Sequence, residues 1–269
     1  MFGPSIRPPA VAGLFYEGDP QRLSLDLAGL LDAAPRTELK AKALVVPHAG
    51  YIYSGPVAAS AYRLLQNQAD SIRRVILLGP THRMAVHGLA VPTVASFSTP
   101  LGVVPLDRAA MARISTLSQV VQSDGPHAME HALEVQLPFL QAVLGDFQLV
   151  PLAVGDASAE EVAEVIEQLW GGEDTMILVS TDLSHYHTYN EARRIDRATV
   201  ESILDLEGPL DHEQACGATP LNGLLRVARR KGLRPHLLDL RNSGDTAGDK
   251  DRVVGYAAIA FSPGDDHGH

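Results

Sequence analysis

His48, His82, Asp182 and His185 are metal-ligating or proton-moving residues, and each follows closely on a short apolar run. Ala43 to Val46 leads into Pro47-His48-Ala49-Gly50-Tyr51, Arg74 to Leu78 into Gly79-Pro80-Thr81-His82, and Thr175 to Val179 into Ser180-Thr181-Asp182-Leu183-Ser184-His185. In open α/β sheets ligands bind at the carboxyl ends of the strands, so parallel strands would bring these four residues together from distant parts of the chain. Neutral imidazole is the commonest protein metal ligand, and a thiolate is softer. Adding Cys216, the single cysteine, to two histidines suits zinc, copper or iron. Cys216 and Gly217 precede a helix predicted from about Thr219, and a helix N-terminus favours a thiolate. Asp182 and His185 are three apart, a spacing that can orient a ligand or serve as a general acid/base pair. Any one of these histidines has a bland reading as a cap or a loop anchor, and a lone cysteine usually behaves as a small buried apolar residue. Three histidines at equivalent strand ends point instead to a site.

His127, Glu130, His131 and Glu134 form a second cluster. The two histidines are four apart, as are the two glutamates, so both pairs share a helix face if the helix predicted near His131 to Leu144 begins early enough. The order is not that of a His-Glu-x-x-His zinc motif, and Leu133, Val135, Leu137, Phe139 and Leu140 follow at once. The cluster therefore reads as a wall of the site rather than as its ligands. Gly50-Tyr51 and Tyr53-Ser54-Gly55 read as a flexible loop whose glycines let backbone approach a ligand, and no Walker or dinucleotide fingerprint is present. Gly244 to Asp249 reads as a turn-rich loop before the last strand, an ordinary loop first and, as the alternative, a cover over the site.

The elements that must position these residues alternate. Leucines at 23, 27, 30 and 31 give a first helix from Pro20 to near Pro35. Further helices are predicted near Gly55 to Leu65, Ala192 to Leu206 and Thr219 to Lys231, and after Ser158, whose Glu161 completes a capping-box signature. Phe147 to Val154, Arg234 to Leu240 and Val253 to Phe261 are further strands. This alternation predicts a single-domain α/β/α sandwich around a largely parallel or mixed sheet, spanning about 7–261 of the 269 residues with a frayed tail at 264–269. Hydrophobic residues at 45% and charged residues at 20% exclude intrinsic disorder. A formal net charge of −10 opposes binding to nucleic acid or anionic lipid. No apolar run approaches the ~20 residues that span a bilayer, and the N-terminal residues lack signal-peptide character, so a cytoplasmic protein without a membrane partner is expected.

Pro47-His48-Ala49-Gly50-Tyr51, Gly79-Pro80-Thr81-His82, Glu130-His131-x-x-Glu134 with Gln136-Leu137-Pro138, Ser180-x-Asp182-x-x-His185 and Cys216-Gly217 together closely resemble the Memo family. That family includes the AmmeMemoRadiSam system B proteins and the animal mediator of ErbB2-driven cell motility. The likeness runs from about Arg7 to Phe261. It implies a fold similar to the LigB-type class III extradiol dioxygenases, which are non-haem iron enzymes. By motif, His48, His82 and Cys216 match metal-binding positions and Asp182 and His185 the remaining pocket residues, while Tyr51, Glu130, His131 and Glu134 are expected as pocket wall or supporting residues. The dioxygenase iron takes two histidines and a glutamate, and a cysteine in place of the hard carboxylate argues against ring cleavage. The resemblance therefore implies an iron or copper redox protein acting on an unidentified small molecule or peptide. The alternatives are a non-catalytic module that binds such a ligand in the same pocket and, third, a zinc-dependent hydrolase.

Overall fold

The two-sided apolar runs become the middle of a sheet, as burial on both faces requires. A computed structural model describes residues 5–264; His267 and His269 of the predicted tail lie outside the described residues. The strands are β1 (Ile6–Arg7), β2 (Ala43–Val46), β3 (Arg74–Pro80), β4 (Leu89–Val91), β5 (Ser96–Thr99), β6 (Gly102–Pro105), β7 (Val120–Gln122), β8 (Gln148–Val154), β9 (Thr175–Ser180), β10 (His185–His187), β11 (Arg234–Asn242) and β12 (Val253–Ser262). The helices are α1 (Pro20–Ala33), α2 (Tyr51–Leu65), α3 (Arg108–Ile114), α4 (Gly125–Ala128), α5 (Leu137–Val143), α6 (Ala159–Gln168), α7 (Tyr189–Leu204) and α8 (Ala218–Lys231).

The main sheet runs β10-β12-β2-β9-β3-β8-β4-β7, with β11 also paired to β12. Its centre, β2-β9-β3-β8, is parallel, and β12 and β4 join it antiparallel on either side. The sheet is thus mixed, sandwiched by helices, and a small sheet β1-β5-β6 lies apart from it. Buried side chains from α1 through β12 make one contiguous core. Because β9 lies between β2 and β3 in register, the ends that carry His48, Asp182 and His82 are neighbours.

Local chemistry sets the helix ends. Asp19 accepts the amides of Gln21 and Arg22 ahead of Pro20, and Leu23, Leu27 and Leu31 form the buried face of α1. Ser158 and Glu161 form the expected capping box on α6. Gly232 closes α8 in the left-handed conformation at φ 65°.

Three expectations need correction. The helix predicted from His131 is a 3-10 turn at Glu134–Gln136 followed by α5, and His127 sits on the separate α4, so the two i,i+4 pairs do not share a helix face. Here the Glu130 carboxylate takes the Ala132 amide and Pro138 restarts the helix, so side-chain bonding overrides periodicity. The supposed loop at Gly50 to Gly55 is the first turn of α2, fixed by the Tyr51 amide on the Phe15 carbonyl (2.7 Å) and the Tyr51 hydroxyl on the Val135 carbonyl (2.6 Å). The short strands β1, β4, β5, β6, β7 and β10 were not anticipated; at two to four residues they carry too little period to read.

Candidate metal centre

His48 leaves β2 through Pro47 and is buried. Its backbone N–H donates to Asp182 Oδ1 (2.7 Å), and its ring Nδ1 lies 3.0 Å from Ser180 Oγ. The Ser180 hydroxyl donates to the Ala132 carbonyl (2.6 Å) and accepts from Gln136 Nε2 (2.8 Å). With its proton committed to Ala132, Ser180 can only accept from His48, which places the ring proton on Nδ1 and leaves the Nε2 lone pair free. Tyr62 completes this relay by donating to Gln136 Oε1 (2.6 Å).

His82 follows β3, with its ring Nδ1 2.8 Å and its backbone N–H 2.5 Å from the two oxygens of Glu130. Burial alone raises the Glu130 carboxyl, but hydrogen bonds from the His82 ring, the His82 amide and the Ala132 amide outweigh it and bring it to about 2. The same Oε1 lies 3.3 Å from His131 Nδ1. The carboxylate thus orients the His82 ring, leaving its Nε2 pointing away, the arrangement that metal-binding histidines require, and it lies in charge contact with His131.

His48, His82 and His131 can each offer a nitrogen, and the three nitrogens lie within 4.8 Å of one another. The His82 and His131 rings stack at 4.7 Å between centroids, and His48 meets each edge-on at 5.2 and 5.4 Å. Burial, reinforced by the neighbouring imidazoles, holds His48 down to about 3 and His131 down to about 4, so both are neutral at physiological pH. Three converging imidazoles fit a transition metal and suit neither magnesium nor calcium.

Cys216 reaches the same place from the turn before α8. Its Sγ lies 3.3 Å from His48 Nε2 and 3.3 Å from the Asp182 amide. Gly217 allows this approach, because a Cβ there would fall 2.7 Å from the Thr181 side chain. Burial, then the Asp182 carboxylate, push the thiol up to about 12, which outweighs the expected help from the helix N-terminus. Asp182 is itself buried and raised, against the lowering bond from the His48 amide. His185 opens β10 and acts electrostatically on both His48 and Asp182.

The structure therefore brings His48 and His82 together with His131, which is expected from sequence as pocket wall; Cys216 and Asp182 adjoin His48 without joining the group of three, and His185 acts on the site through its charge. Glu130 supports two of the histidines. Glu134, fully buried, accepts from Arg7 Nη1 (2.7 Å), the amides of Ala10 and Val11 (2.7 and 2.9 Å) and the Tyr16 hydroxyl (2.7 Å). It straps the N-terminal segment over the loop that carries His131, and Phe15 packs on the His131 ring at 4.8 Å. His127 lies apart, with Nε2 on the Ala90 carbonyl (2.9 Å). Sequence reasoning assigned no role to Ser180, Gln136, Arg7 or Phe15; a polar residue ending a buried strand and a glutamine inside an apolar segment were the available signals for the first two.

A family profile described as Memo-like protein matches residues 7–260. The chain is similar to a MEMO1 family protein of Sulfolobus acidocaldarius, 36% identical over 282 residues, covering 95% of this chain and 99% of the relative. It is also similar to one from Methanosarcina barkeri, 37% identical over 268 residues, covering 94% and 99%. Among solved structures, an uncharacterized Escherichia coli K12 protein superposes with a TM-score of 0.54 at 15% identity over 80% of this chain and 98% of that one, a likeness of fold.

Proposed function

Since the chain belongs to the Memo family, we propose that it is a metal-binding redox protein of that family, with His48, His82 and His131 as nitrogen donors and Cys216 as a sulfur donor. The convergence of three imidazoles within 4.8 Å carries this reading, and the thiol 3.3 Å from His48 Nε2 supports it. A nitrogen and sulfur set of this kind suits iron or copper, and such a metal would supply one-electron chemistry. Iron is the first assignment and copper the second.

The chain's own groups do the rest. Glu130 and Ser180 hold the rings with Nε2 inward. The Cys216 thiol, kept protonated by burial, would have to release its proton to solvent in order to ligate a metal. Burial favours the protonated form of Asp182, whose Oδ2 lies 4.0 Å from His48 Nε2, and Asp182 and His185 are the proton-moving pair of this reading. The substrate is a small organic molecule or peptide; the net charge of −10 disfavours nucleic acid. Among the described residues no helix is long and apolar enough to cross a membrane.

The test is reconstitution with Fe(II), Cu(II) or Zn(II), followed by oxygen-consumption assays. Iron or copper bound near one per chain with oxygen-dependent turnover agrees with this reading. Hydrolysis by the zinc form without oxygen, or ligand binding without metal or turnover, overturns it.

A further inference from the structure

Several segments that carry site residues also expose apolar side chains: Leu14, Ile52, Tyr53, Met84, Met129 and Tyr186. Leu14 precedes Phe15, Ile52 and Tyr53 lie in the first turn of α2 beyond His48, Met84 follows His82, Met129 precedes Glu130, and Tyr186 follows His185.

Tyr186 stands out among them. It is the extra residue of a β-bulge, since His185 pairs with Val254 and His187 with Val253. Its φ is +64°, a left-handed conformation that suits glycine and strains a bulky side chain. The ring is 64% exposed, so burial returns little for that strain. The Arg252 guanidinium lies over it, 4.9 Å from the centroid, and the His185 ring is 5.7 Å away. Among the described residues the Arg252 side chain makes no ion pair, and Asp249, close by in sequence, accepts only its backbone N–H. An acidic chain thus keeps an unpaired guanidinium on a strained, exposed aromatic ring beside its histidine centre. Strain of this kind persists where a site uses it.

We propose that Tyr186 and Arg252 form the recognition pair for the ligand of the histidine site, and that this ligand is an organic anion with a flat apolar body. The body lies against the exposed Tyr186 ring, and the anionic group meets Arg252. The proposal rests on the metal-centre reading for what lies beneath, but the Tyr186–Arg252 pair is itself testable without metal.

Benzoate is titrated into the full chain, metal-free and zinc-loaded, and followed by amide NMR, with benzamide as the neutral isostere. Benzoate is expected to shift residues 185–187 and 252. Tyr186→Gly is expected to weaken benzoate at least fivefold while melting no lower than the parent, because glycine removes the ring and the strain together. Tyr186→Phe retains binding, and Arg252→Met abolishes the preference for benzoate over benzamide. No shift at residues 185–187 or 252, unchanged affinity in Tyr186→Gly, or a lower melting temperature for that variant overturns the proposal. Metal stoichiometry, measured on the same samples, fails separately if the histidine reading is wrong.

Discussion

The Glu130 carboxylate holds His82 twice, by the ring Nδ1 at 2.8 Å and by the backbone N–H at 2.5 Å. One side chain therefore fixes both the position and the rotamer of a metal-binding candidate, and through Oε1 it also touches His131. Glu130→Gln keeps the shape but removes the charge and one acceptor. Metal affinity should fall by roughly 10- to 100-fold, as for other partners of ligating histidines, with the fold retained. Competition with a chromophoric chelator measures it.

Ser180 defines the His48 tautomer in the same way. Ser180→Ala leaves the His48 Nδ1–H without its acceptor and removes one acceptor from Gln136 Nε2. The expected loss is about 1–3 kcal/mol of stability from buried groups left unpaired, together with weaker metal binding. Ser180→Thr keeps a hydroxyl and should recover part of both.

Much of this site is legible in the sequence, and the boundary has a physical cause. His48, His82 and Asp182 follow strands whose apolar runs are contiguous and two-sided, so both the strand and its end can be read locally. His131 cannot be placed that way. Its position depends on Glu130 turning back to Ala132 and on Glu134 reaching residues more than a hundred positions away, which no local period encodes. The start of α2 at Tyr51 is set likewise by Phe15 and Val135.

Glu134→Ala tests the N-terminal strap. Arg7 is buried and donates to Glu134 and to the carbonyls of His127 and Glu130, so truncation leaves an uncompensated buried guanidinium. The predicted cost is about 3–5 kcal/mol by denaturant unfolding. The metal-free His131 ring should also lose its Phe15 contact, visible as a change in its NMR shifts.

His127 supplies a pH dependence outside the metal ligands. Burial holds its pKa down to about 4, against an ordinary value of 6.5. The unfolded chain binds this proton first as pH falls, so the contribution is fully present above about 6.5 and is lost progressively down to about 4. About 3 kcal/mol of stability is at stake from this group. Melting curves of metal-free protein between pH 7.5 and 4.5 should show the decline, and His127→Gln, which does not titrate, should flatten it.

The most direct measurement is metal content after anaerobic reconstitution of untagged protein with Fe(II), beside His48→Ala, His82→Ala, His131→Ala and Cys216→Ser. Three imidazoles converge and the Cys216 thiol adjoins one of them, so the parent should hold close to one metal per chain and each variant should lose most of it. Undiminished metal in the three histidine variants, or none in the parent, would contradict the assignment of this cluster as the metal centre.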